Sequence, residues 1–143
     1  MSLDRALSIS KSGIDTQAEI AEIIASNLAN MNTTRTVFGE PYRRLIPVVE
    51  SNSISFNQYL EHAKSKYSSG GVRISNIMED RTAFRQVYDP GHPDADTQGF
   101  VLYPNVYQAK EQIEQIANSK SYEANIVAYN STKGMLRQAL EIQ

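Results

Sequence analysis

Residues 105–143, NVYQAKEQIEQIANSKSYEANIVAYNSTKGMLRQALEIQ, decide how this chain folds. The stretch has no proline and one glycine, Gly134. Its small or apolar residues return at threes and fours through Ile113, Ile116, Ala117, Ala124, Val127, Ala128, Ser131, Met135, Leu136, Ala139 and Ile142. That spacing predicts one long helix, with Asn105 as its cap and Gln108 three residues on to complete a capping box. At about 1.5 Å per residue it would run on the order of 55 Å, more than a small domain needs for its own core, so part of it is expected to be covered from outside. Beside the stripe stand uncharged polar residues, Asn118, Ser119, Ser121, Asn125, Asn130 and Thr132, where an ordinary surface helix carries Glu and Lys. Small polar side chains admit a close neighbour and can hydrogen-bond across the contact, which predicts a helix packed on several sides.

The other end of the chain repeats the pattern. Ser2 is a candidate N-cap and Asp4 suits the positive end of a helix dipole, while Leu7, Ile14, Ala18, Ala21, Ala25 and Leu28 recur at helical spacing. Ile9, Ile20, Ile23 and Ile24 widen the stripe. The helix is expected to end near Met31, where Asn30, Asn32, Thr33 and Thr34 favour local backbone bonds. Two long amphipathic helices at the termini are most simply buried against each other as a coiled-coil-like pair, although strict heptads are not sustained and the partner helix of either could belong to another copy.

Between them, Leu45, Ile46, Val48 and Val49 predict a strand in residues 43–50, confined to an edge or a bulge by Pro47. Residues 51–71 read as a short helix or a loop ending in Ser68-Ser69-Gly70-Gly71, and strands are expected around Val72–Ile77 and Phe84–Tyr88. The fold class is therefore α+β: terminal helices in residues 1–34 and 105–143 enclosing a small, mostly β insert of residues 35–104.

Composition narrows the function. With 14 basic and 16 acidic residues the formal net charge is -2, which leaves no electrostatic footprint for nucleic acid. There is no cysteine, so no disulfide frame or thiolate metal site can form. No apolar run of about 18 residues predicts direct membrane insertion, and the first ten residues lack the apolar core of a cleaved signal, so any route out of the cytoplasm is expected to be an uncleaved one. An insert this small is a poor scaffold for an enzyme pocket.

One stretch tempts a metal assignment. Asp94, Asp96, Gln98 and Gly99 fall at the first, third, fifth and sixth positions of a calcium loop, but the twelfth is Asn105 where a bidentate Glu is required. Pro, Gly and Asp here shape successive turns instead. His92, between Gly91 and Pro93, is a turn residue, and His62 has no identifiable nucleophile or orienting partner. No catalytic, cofactor-binding or metal residues are expected.

The run Ser26-Asn27-Leu28-Ala29-Asn30-Met31-Asn32-Thr33-Thr34-Arg35-Thr36, followed by Gly39-Glu40-Pro41-Tyr42-Arg43-Arg44, resembles the N-terminal motif of the flagellar axial proteins. Asp89-Pro90-Gly91-His92-Pro93-Asp94-Ala95-Asp96, Gly99-Phe100-Val101, Pro104-Asn105-Val106 and Ser119-Lys120-Ser121-Tyr122-Glu123-Ala124-Asn125 narrow the resemblance to the proximal-rod proteins of that family. Asn130, Lys133, Met135, Ala139 and Leu140 continue it. Phe100 stands where the family usually has Tyr, Lys120 where Arg is common, and residues 51–70 diverge.

The resemblance implies a structural subunit of the rod, a hollow helical shaft that carries motor torque across the periplasm. It also implies passage through the flagellar type III export apparatus, and contacts with further copies of itself, with the rod proteins FlgB and FlgF and with FliE. On that reading Leu7, Ile14, Ala21, Ile24, Leu28, Val127, Met135 and Leu136 are expected to bury the helix pair. Asn27, Asn30, Tyr122, Glu123 and Asn125 are expected to touch neighbouring subunits, with Glu123 requiring a partner if buried. The rival readings are a free-standing helical adaptor, stable as a monomer with its one apolar stripe covered, and a small metal-dependent enzyme built on the Asp89 to Asp96 cluster.

Overall fold

A computed structural model describes residues 3–52 and 70–141. Helix α1 (Leu3–Ala29) is followed by strands β1 (Leu45–Ser51), β2 (Val72–Glu79), β3 (Arg85–Tyr88) and β4 (Phe100–Tyr103), and the order closes with helix α2 (Gln108–Glu141). The chain is thus α+β, two long helices packed together with a small antiparallel insert. Of the residues 51–71 expected as a short helix or loop, most lie outside the described residues, as does the candidate cap Ser2.

The helices run antiparallel, since Asn27 meets Glu111, Gln17 meets Asn118 and Gly13 meets Asn125. Gly13 permits the last approach, because a Cβ there would stand 2.8 Å from Asn125 Nδ2. The 34 residues of α2 span on the order of 50 Å.

Which face of α2 meets α1 reverses the expectation. Glu111, Asn118 and Thr132 are buried and Glu114, Gln115, Asn125, Ile126, Tyr129 and Leu136 half-buried, a 3-4 register that is mostly polar. The apolar stripe faces outward: Ile113, Ile116 and Val127 are 67%, 58% and 64% exposed and Met135 is also exposed. Val127 and Met135 therefore do not bury the helix pair, and Leu136 does so in part. The reason is steric and polar fit. Small side chains allow α1 to approach, and their amides reach its backbone, as when Asn118 Nδ2 donates to the Gln17 carbonyl at 2.9 Å.

The start of α2 also differs. Asn105 does not cap it; its Oδ1 accepts from the Arg44 amide at 2.9 Å and its Nδ2 donates to the Asp80 carbonyl at 2.9 Å. The first intrahelical bond is instead Glu111 N to the Tyr107 carbonyl, so Tyr107 occupies the cap position and the helix begins at Gln108.

Among the described residues the insert comprises two separate two-stranded antiparallel sheets, β1 with β2 and β3 with β4. Pro47 pairs opposite Ile77 in a strand that, among the described residues, pairs with β2 alone, and the register shifts between Val48 and Val49, so the proline sits beside a bulge in an edge strand of that sheet. The β4 strand was not anticipated; it pairs Phe100 with Tyr88 and buries Val101 between exposed neighbours. The first sheet rests on α1, where Ser12 Oγ accepts from the Val72 amide and Thr16 Oγ1 donates to its carbonyl. Gly71 makes this docking possible: its φ is +120°, and a Cβ would overlap Ser12 Oγ. The apolar core is small, centred on Ile23, Ile24, Val101 and Val106.

Candidate assembly site

Two features stand out once the fold is laid down, a buried polar joint and the uncovered stripe of α2. The joint forms where the insert leaves the helix pair. Asn27, 1% exposed, pairs its amide with both backbone groups of Leu45: Nδ2 donates to the carbonyl and Oδ1 accepts from the amide, each at 2.9 Å. A helix side chain thus stands in for a partner strand at the first residue of β1. Tyr42 OH also donates to Asn27 Oδ1, and Asn27 Nδ2 donates to Glu111 Oε2 at 3.1 Å.

Glu111 is fully buried, and Arg44 answers its charge with Nε to Oε1 at 2.5 Å. Arg44 reaches the half-exposed Glu114 as well, at 2.6 Å. Burial works against the Arg44 charge, but its hydrogen bond to Glu111 and the attraction of Glu111, Glu114 and Asp80 prevail and raise the guanidinium above its already high ordinary value. Such a pair is strongly needed once present, because removing either member strands a buried charge. Asn105 extends the joint through its bonds to Arg44, Asp80 and the Thr82 hydroxyl. A second tie joins the turn after α1 to the loop between β3 and β4, where Thr34 Oγ1 donates to Asp94 Oδ2 at 2.8 Å and Arg35 approaches the same carboxylate. The neighbouring Asp96 accepts from the Gln98 and Phe100 amides. These carboxylates shape the loop, and His92 does the same by accepting on Nδ1 from the Asp94 amide.

The residues expected to contact neighbouring subunits divide accordingly. Asn27 lies in the joint, buried within its own chain, and that expectation is corrected: its amide is consumed by Leu45, Tyr42 and Glu111. Asn125 sits in the helix seam against Gly13. Asn30 closes the end of α1, donating to the Ser26 carbonyl and accepting from Thr33 Oγ1. Tyr122 and Glu123 are exposed on α2. On α1, Ile24 is buried and Leu7, Ile14, Ala21 and Leu28 are half-buried. Sequence reasoning missed Arg44 and Glu111. The available signal was the 3-4 register of Glu111, Gln115, Asn118, Asn125 and Thr132, which marks a face too regular to be only a wet one.

Residues 7–35 match the family described as flagella basal body rod protein, a span covering most of α1 and the turn that Thr34 ties to Asp94. Over nearly the whole length, the chain is 43% identical to the flagellar basal-body rod protein FlgC of Bacillus subtilis, covering 99% of each. The chain belongs to the FlgC family of flagellar basal-body rod proteins. It is 34% identical to the FlgC of Borreliella burgdorferi and 36% identical to that of Aquifex aeolicus, again over 99% of this chain. As a member of the FlgC family the chain is a structural subunit of the basal-body rod and resides there. Asn27, which lies within the matched segment, holds this chain's fold together from inside. No helix among the described residues is long and apolar enough to cross a membrane.

Proposed function

We propose that the outward stripe of α2 is the surface through which this rod subunit enters a hollow, torque-bearing shaft. The observation that carries the reading is the exposure of Ile113, Ile116, Val127 and Met135 on the side of α2 away from α1. Surface of this kind on a long helix marks a contact with another chain. Burying one such side chain fully contributes about 1.5–3 kcal/mol, and repetition over many copies gives a stiff assembly without any single strong bond. Contacts between unlike faces, when they do not close, generate helical filaments.

In this reading residues 1–34 and 105–143 form the wall of the shaft and residues 35–104 an outer insert. Tyr122 and Glu123 meet neighbours at its rim. Those neighbours are copies of the same chain together with FlgB, FlgF and FliE, reached after passage through the flagellar export apparatus across to the periplasm. The chain acts by shape alone and catalyses nothing.

Val127→Asp tests this. The free subunit is expected to keep its stability within about 0.5 kcal/mol, since the position is exposed, while incorporation into isolated basal bodies and swimming are lost. A Val127→Asp strain that swims normally overturns the reading.

A further inference from the structure

The turn that leads from α1 towards β1 carries two large apolar residues that its own fold does not use. Thr36, Val37, Phe38 and Gly39 form a β-turn, in which the Gly39 amide donates to the Thr36 carbonyl at 2.9 Å and Gly39 takes a φ of +82°. The loop is closed again below it. The Thr36 amide and hydroxyl both donate to the Glu40 carbonyl, at 2.9 and 2.8 Å, and the Tyr42 amide donates to the Thr33 carbonyl. Its base is tied to the loop between β3 and β4 through Thr34 and Arg35 on Asp94. Val37 and Phe38 stand at the tip, 95% and 90% exposed. Turns favour Pro, Asn, Asp, Ser or Gly, and a β-branched residue followed by an aromatic one breaks that preference with no packing in return. Because the turn is already fixed, an aromatic side chain presented this way can dock without the cost of ordering its backbone.

We propose that this tip is a knob of the insert that seats on α2 of a second copy, over Ile113 and Ile116. The proposal rests on the rod reading and adds to it a contact made by the insert. The seat must be apolar, and Ile113 and Ile116, 67% and 58% exposed and one helical turn apart, supply that. Charge decides which part of the stripe is used. Lys120 follows Ile116 by four residues on the same side, exposed and, among the described residues, in no salt bridge. Glu40 stands two residues beyond Phe38 with its side chain 69% exposed, no closer than 3.9 Å to Arg43, so a knob over the two isoleucines can bring Glu40 to Lys120. Val127, farther along, has Glu123, Ala124, Asn130 and Ser131 at three and four residues' distance, and Glu123 would repel Glu40. The cavity beside the turn, lined by Pro41, Phe100 and Leu102, is not the seat. Gly39 lines it as well, so two copies could exchange knobs there only face to face, in a pair that closes on itself.

The absence of native cysteine makes the test direct. Two single-cysteine chains, Val37→Cys and Ala117→Cys, carry different tags and are produced together in cells lacking the native copy. Both positions are exposed, so neither substitution enters the core. Basal bodies are isolated and oxidised. The expected result is a disulfide dimer carrying both tags, lost when Val37→Cys is paired instead with Ala128→Cys, about three turns along α2. Its yield is expected to fall several-fold when Glu40→Lys is added to the first chain and to recover when Lys120→Glu is added to the second. Both chains present in basal bodies without the mixed dimer, or an equal yield with Ala128→Cys, overturns the knob contact while the rod reading stands. If the cysteine chains stay out of basal bodies that the native chain enters, the charge pair decides in an otherwise native chain. Swimming impaired by Glu40→Lys and restored by adding Lys120→Glu upholds the contact, and any other pattern overturns it. Native chain missing from isolated basal bodies defeats the rod reading and this contact with it.

Discussion

Asn27 and Glu111 lie 84 positions apart and share a hydrogen bond of 3.1 Å that neither could make at the surface. The bond fixes the register of α1 against α2 at the end from which the insert departs. Through the same two residues pass Leu45, at the root of β1, and Arg44, whose amide is held by Asn105 just before α2. Both roots of the insert are thereby fastened to both helices. For a subunit that bears load this matters more than raw stability, because a hinge at that point would let the insert swing independently of the helix pair.

The ion pair inside the joint is expected to be indispensable one member at a time and dispensable as a pair. Glu111→Ala leaves Arg44 with the half-exposed Glu114 alone and removes an acceptor from Asn27, which is expected to destabilise the free subunit by about 3 kcal/mol. The double variant Glu111→Leu with Arg44→Met removes both charges and is expected to recover most of that loss. Urea unfolding of the three proteins checks this. A single variant that loses less than about 1 kcal/mol contradicts the burial of the pair.

Acid is expected to loosen the same region through Asp80. The Thr82 amide, donating to Oδ1 at 3.0 Å, holds this carboxyl below its ordinary value of 3.8 against the opposing effect of partial burial, with the Thr82 hydroxyl, Arg44 and Lys110 adding to it. A carboxyl lowered on folding contributes stability that is fully present above its ordinary value and lost as pH falls through the lower folded one. Asp80→Asn is therefore expected to be less stable than the native chain at pH 6, with the gap closing as pH falls below about 4. Urea midpoints at several pH values measure it, and a gap that stays constant with pH disproves the role given to Asp80.

The sequence announced the helices but not how they face each other, and the reason is physical. Periodicity shows that Ile113, Ile116, Val127 and Met135 share a side, not whether the chain itself or another chain covers it. In a subunit of an assembly those two answers differ. Pro47 was legible because a missing amide donor constrains a strand locally. Asn105 was misread for the opposite reason: its pattern fits a cap, but Arg44, 61 positions away, claims its oxygen. The Arg44–Glu111 pair spans 67 positions: the 3-4 register marks Glu111 as part of a packed face, but nothing local names Arg44 as its partner. The strand β4, four residues between turn-forming segments, offers too short an alternation to be told from a loop.

Asn118 presents the sharpest departure from what folding alone would favour. It is 8% exposed in the middle of the seam, and its Oδ1 is the one buried side-chain polar atom among the described residues without a hydrogen-bond partner. An unsatisfied buried acceptor costs about 1–3 kcal/mol, whereas the bond its Nδ2 makes to the Gln17 carbonyl contributes about 1 kcal/mol. Asn118→Leu removes both at similar volume, and Gln17 retains the helical bonding of its own carbonyl. The variant is therefore expected to raise the stability of the free subunit by about 1 kcal/mol. If the polar seam exists for folding, swimming should be unchanged or improved. If it exists so that the helices can adjust their register as a subunit enters the rod, the stabilised variant should incorporate poorly despite folding better. The two readouts, unfolding of the free chain and its recovery in basal bodies, separate these cases; a loss of stability in the first would show that the Asn118 oxygen is satisfied after all.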